Sequence, residues 1–72
     1  MRKYDLPREM RDILNVYEME GKDEISRQKL RRACAHLPTK TFEEALMEMV
    51  LLGILEIKER KGRIYYRLKR YY

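Results

Sequence analysis

Three long cations crowd one glycine in the run Arg60-Lys61-Gly62-Arg63. Such side chains reach phosphate oxygens, and a glycine among them allows close approach, so the run suits contact with a nucleic-acid backbone. Lys58, two residues earlier, extends the series. A second basic group lies upstream, where Arg27, Arg31 and Arg32 share the outer side of a short helix, Lys29 stands nearby and Lys40 follows in a turn. Other chemistry is scarce. Cys34 is the only cysteine and His36 the only histidine, so neither an internal disulfide nor a thiolate and imidazole zinc set can form. Cys34 falls on an apolar stripe and reads as a small buried hydrophobe, and His36 as a helix-end residue. No Gly-rich phosphate loop is present, and no serine or cysteine has a plausible base. The placeable carboxylates are helix caps or hairpin pairs. The expectation is a binding protein without catalysis, cofactor, metal or small-molecule ligand.

The distribution of charge sharpens this. The net charge is +5 over 72 residues, but residues 22–40 hold six cations against two carboxylates, and residues 56–72 hold seven against two. Between them, residues 41–55 contain three glutamates and no cation. Two basic blocks separated by an acidic one form a footprint for a polyanion rather than a uniform solubilising coat. A composition that is 40% charged, without tryptophan, leans toward a heat-adapted source, although five methionines run against it. The start, Met1 to Pro7, is charged at once, and no apolar run approaches the ~20 residues of a membrane span, so a cytoplasmic protein is expected. The length fits one small domain over residues 1–72, with a core from about 7 to 68 and a short tail over 69–72.

Periodicity supplies the elements that must carry these cations. Met10, Ile13, Leu14 and Tyr17 follow the spacing of one helical face, with Pro7 fit for the first turn and Gly21 for a left-handed C-terminal cap. Asp23-Glu24-Ile25 is a short extended piece. Ser26 then caps a second helix that begins at Arg27, buries Leu30, Ala33, Cys34 and Leu37, and ends near His36 ahead of Pro38. Thr41 and Glu44 form a capping box for a third helix with a buried stripe of Phe42, Ala45, Leu46, Met49 and Leu52, ended by Gly53. The period then changes to two. Residues 54–60 and 63–68 flank Lys61-Gly62 as a tight hairpin. The register that sets Arg60 against Arg63 also pairs Leu55 with Leu68, Ile57 with Tyr66 and Glu59 with Ile64 on an apolar side. Its other side pairs Glu56 with Arg67 and Lys58 with Tyr65.

Helix, short strand, helix, tight turn, helix and basic hairpin, in that order and at those lengths, resembles the winged helix-turn-helix family of DNA-binding proteins. The likeness covers about residues 7–68. Its most telling passage is Leu46, Met49 and Leu52 followed by Gly53-Ile54-Leu55, similar to the family's run from recognition helix into the first wing strand. The resemblance implies an α+β fold of three helices and a C-terminal β-hairpin wing, and a double-stranded DNA partner. It also implies a small transcriptional regulator that places its third helix in the major groove and its wing on the backbone. The expected contacts are Arg27 and Arg31 on the second helix, Thr39, Lys40 and Thr41 at the turn, Met47 on the third helix, and Lys58, Arg60, Lys61 and Arg63 on the wing.

The third helix complicates base reading. Helical geometry turns Lys40, Glu44, Met47 and Leu51 outward, with Glu43 and Glu48 at the edges. Glutamate can accept from a cytosine amino group and Met47 can touch a thymine methyl, but an acidic helix loses affinity near phosphates. Two other readings therefore stay open: a protein-interaction module using this acidic helix with Met47 and Leu51, and an RNA or single-strand binder using the tyrosines at 65, 66, 71 and 72 among Arg67, Lys69 and Arg70. Val16, Met19 and Leu51 are left outside the predicted core. With Tyr71 and Tyr72 they are the expected interface of a homodimer, an assembly that would support a thin core.

Overall fold

The computed structural model describes residues 5–69. Its elements, in chain order, are α1 (Arg8–Glu20), β1 (Glu24–Ser26), α2 (Arg27–Ala33), α3 (Thr39–Leu51), β2 (Leu55–Arg60) and β3 (Arg63–Leu68). Three helices and one antiparallel sheet of order β1-β3-β2 make an α+β domain with a winged helix layout. Pro7 stands just ahead of α1, where its fixed φ and missing N–H cost nothing. Gly21 closes α1 at φ 66°, a conformation that favours glycine, and its N–H donates to the Tyr17 carbonyl at 2.9 Å. Ser26 caps α2, its Oγ accepting from the Lys29 amide at 3.1 Å.

The hairpin has the register that the sequence predicts, from Leu55 opposite Leu68 to Arg60 opposite Arg63. Lys61 and Gly62 both have positive φ, 50° and 76°, the pattern of the tight turn whose twist matches paired strands. The extended piece before α2 does more than connect. As β1 it pairs Glu24, Ile25 and Ser26 with Arg67, Tyr66 and Tyr65. This third strand covers β3 only near the base of the hairpin and leaves the tip two-stranded.

The core runs through every element. Ile13 and Leu14 of α1, Ile25 of β1, Leu30 of α2, Phe42, Leu46 and Met49 of α3, and Leu55 and Tyr66 of the sheet are all buried. The Tyr17 hydroxyl donates to the Tyr66 carbonyl at 2.6 Å and ties α1 to β3. Burial raises the pKa of that hydroxyl far above its ordinary value, with Tyr66 and Glu24 adding to the effect.

Several sequence expectations need correction. Helix α3 starts at Thr39, behind Pro38, rather than after a Thr41 cap. The Pro38 carbonyl accepts from the Phe42 amide at 2.9 Å, so the helix starts earlier and Thr41 lies inside it, with no side-chain cap. Helix α2 ends at Ala33, earlier than His36, and a tighter turn through Cys34 and Leu37 follows. Two turns of helix bury only a narrow stripe, so Ala33 is exposed while Leu30 and Cys34 are buried. Leu52, expected on the buried stripe, is exposed, since α3 ends at Leu51 and Leu52 is its C-terminal cap. Ile57 and Ile64, on the apolar side of the hairpin, are exposed, Ile57 because it lies on the edge strand β2 and Ile64 because the tip projects past the three-stranded part. Val16, expected outside the core, is buried within it.

Candidate nucleic-acid interface

Helix α2 and the tip of the hairpin face each other across an open cleft of about 630 Å³. Arg27, Arg31 and Arg32 line one wall, and Gly62 and Arg63 line the other. The capped start at Ser26 fixes where α2 begins, and the register of β2 with β3 fixes how far the tip reaches. Two basic segments more than thirty residues apart in sequence thus converge. Among the described residues, no carboxylate lines the cleft.

The cations expected to meet phosphate divide into two groups by what holds them. Arg27 forms an ion pair with Glu43 of α3. Arg60 pairs with Glu24 of β1 at 2.7 Å and lies over the Tyr65 ring. Lys58 lies 3.5 Å from Glu56, its neighbour two residues along the same strand. Arg31 turns inward: it donates at 3.3 Å to both the Cys34 carbonyl and the Thr39 hydroxyl, and it lies over the Phe42 ring. Arg31 therefore braces the turn between α2 and α3. Lys40, Lys61 and Arg63 are exposed, and none has an ion pair among the described residues. Arg32 is also exposed and unpaired there, and it lines the cleft. The sequence shows Arg32 on the outer side of the helix, but its place opposite Arg63 depends on where the hairpin folds back.

The threonines are separated. Thr39 opens α3 beside Arg31, whereas Thr41 is half-buried and, with the exposed Glu44 and Glu48, lines a hollow against Pro7 and Glu9 near the start of α1. Thr41 thus lies away from the basic cleft. The acidic residues of α3 are split in the same way: Glu44 and Glu48 face α1, and Glu43 faces α2, where Arg27 offsets it. On the hairpin side α3 presents Met47, Val50 and Leu51, which with Ile57 and Tyr66 line a mostly apolar groove of about 370 Å³ that the Arg27 and Glu43 pair also borders.

Other titratable groups serve the frame. His36 meets Asp12 at 2.9 Å and joins the turn before α3 to α1. Lys29 donates to Glu20 at 2.7 Å, linking α2 to α1, and this hydrogen bond is the main cause that lowers the Glu20 carboxyl pKa. Burial, followed by the charge of Asp12, raises the Cys34 thiol pKa, which favours the protonated form over a reactive thiolate. Among the described residues no group of three His, Cys, Asp or Glu side chains could hold a metal. Nor is any described helix long and apolar enough to cross a membrane. Tyr66 is buried and offers no open stacking face, whereas Tyr65 is half-buried with Arg60 over its ring. Tyr71, Tyr72 and Arg70, the rest of the basic tyrosine-rich end, lie outside the described residues. Met19 and Leu51 are 86% and 80% exposed, so two of the expected interface residues are accessible. Comparison with protein-family models, with curated proteins and with solved structures found no match.

Proposed function

We propose that the protein binds double-stranded DNA and acts as a small transcriptional regulator. The observation that carries this reading is the arginine-lined cleft between α2 and the hairpin tip. Phosphates enter beside Arg32 and Arg63, and Lys61 reaches along the backbone from the tip. Thr39 and Lys40 bring the first turn of α3 to the major groove. The Arg27–Glu43 pair removes part of the repulsion that an acidic helix would otherwise exert on the phosphates. Positive groups concentrated at α2 and the hairpin supply affinity, whereas α3 presents few base-reading side chains. Met47 is the exposed side chain of α3 suited to a thymine methyl.

A fluorescence-anisotropy titration of a labelled duplex across several salt concentrations tests this. Replacing Lys61 and Arg63 by alanine should weaken binding and make the log–log salt slope shallower by about two, at roughly 0.9 for each phosphate no longer neutralised. No binding at low salt, or a slope unchanged by the double substitution, would refute the reading. The groove of Met47, Val50, Leu51 and Ile57 favours a second reading, a surface for protein association.

A further inference from the structure

Strands β1 and β2 are the two edges of the sheet, since β3 lies between them, and β2, with six residues against three, is the longer. The two-residue turn makes Arg60 and Arg63 a hydrogen-bonded pair, and alternation along the ladder makes Lys58 and Glu56 the next hydrogen-bonded positions. The backbone N–H and C=O groups of Leu55, Ile57 and Glu59 therefore point outward. Among the described residues, no backbone bond beyond the ladder occupies those of Ile57 or Glu59. A six-residue edge of this kind is a template for another strand.

We propose that the occupant is β2 of a second copy of this chain, paired antiparallel about a two-fold axis at Ile57. This register alone brings three features together. Ile57 meets its own image, so the outward groups of Leu55, Ile57 and Glu59 bond those of Glu59, Ile57 and Leu55 in the partner. On one face, Glu56 lies opposite Lys58 of the other copy twice over. The segment Glu56-Ile57-Lys58 is thus its own charge complement. Shifting the axis by one residue to Lys58 would oppose two lysines and set Ile57 against Glu59. On the other face, Ile57 is 52% exposed beside Met47 and Leu51, 67% and 80% exposed. The two-fold axis, perpendicular to the sheet, gives a six-stranded sheet with both copies of α3 on one side. These apolar side chains then face their counterparts. Lysine on an edge strand ordinarily deters pairing, but here each lysine meets a glutamate. The interface uses the second half of α3 and leaves the cations Arg32, Lys40, Lys61 and Arg63 outside it; Met47 is the one residue it shares with the proposed DNA contacts, and the pairing itself needs no DNA.

Sedimentation velocity without nucleic acid, from micromolar to millimolar protein, tests the pairing. A concentration-dependent dimer should form, and Glu56→Lys or Lys58→Glu alone should raise its dissociation constant roughly tenfold or more, because two attractive pairs become repulsive. An equimolar mixture of the two variants should recover the dimer, since each restores the other's complement. Hydrogen exchange should slow at the Ile57 and Glu59 amides as protein concentration rises. A monomer throughout that range overturns the proposal. So does a dimer indifferent to both reversals, or a mixture no tighter than either variant alone. Circular dichroism of each variant separates lost pairing from lost folding, and if a variant unfolds, concentration-dependent slowing of exchange at those two amides in the unmutated protein remains the deciding readout.

Discussion

Tyr17 shows how one polar atom can tie the domain together. Its hydroxyl reaches the Tyr66 carbonyl across 49 residues of sequence, and burial strongly favours the neutral phenol. The pKa is raised in the folded state, so the stability linked to this group is complete below about pH 10 and is lost as pH rises past that value. The unfolding free energy of the wild type should fall by up to about 1.4 kcal/mol per pH unit above pH 10 from this group. Tyr17→Phe should be about 1 kcal/mol less stable at neutral pH, for want of the hydrogen bond, and should lack that component of alkaline loss. Denaturant melts of the two proteins at pH 7, 10 and 11 check both, and equal alkaline slopes would refute the assignment. Cys34 had a legible role from its place on an apolar stripe. Arg31 did not, because a sequence does not show whether a long cation turns toward solvent or folds back over Phe42 and the turn.

At the scale of the elements, the two helix starts invite a direct comparison. Ser26 caps α2 through the Lys29 amide, whereas Thr41, which has the spacing of a capping box, lies within α3 and caps nothing. Ser26→Ala should cost about 1 kcal/mol, and Thr41→Ala only a small fraction of that. Chemical denaturation of both variants measures the difference, and comparable losses would mean that Thr41 does cap. The capping pattern was legible, but the proline four residues ahead of Phe42 had the stronger effect, because its carbonyl accepts from that amide and starts the helix early. The hairpin was the more faithful part of the sequence. Its register follows from alternation and a two-residue turn, both local, and the structure reproduces each pair. Its partner β1 was not legible as a strand of the same sheet, since three residues offer no alternation long enough to specify pairing.

For the molecule as a whole, a stability of roughly 0.05–0.15 kcal/mol per residue leaves 72 residues with about 4–11 kcal/mol. Phe42 is fully buried at the junction of α3 with the turn that Arg31 braces. Phe42→Ala should cost about 3–5 kcal/mol, enough to leave much of a marginal population unfolded at growth temperature. A loss below about 1 kcal/mol in a thermal melt would mean that the core can close around the gap. The sequence by itself determined the number and order of the helices, the hairpin with its register, most of each core stripe and the two basic blocks. Each depends on periods and turns of a few residues, and burial follows period. The tertiary structure alone decided which cations remain available. Arg27, Lys58 and Arg60 meet Glu43, Glu56 and Glu24, whereas Arg32 and Arg63 face each other across one cleft. It also decided that Val16 is covered while Met47, Leu51 and Ile57 share an open groove. These outcomes depend on where helices and sheet come to rest against one another, and that is set by packing among residues far apart in the chain.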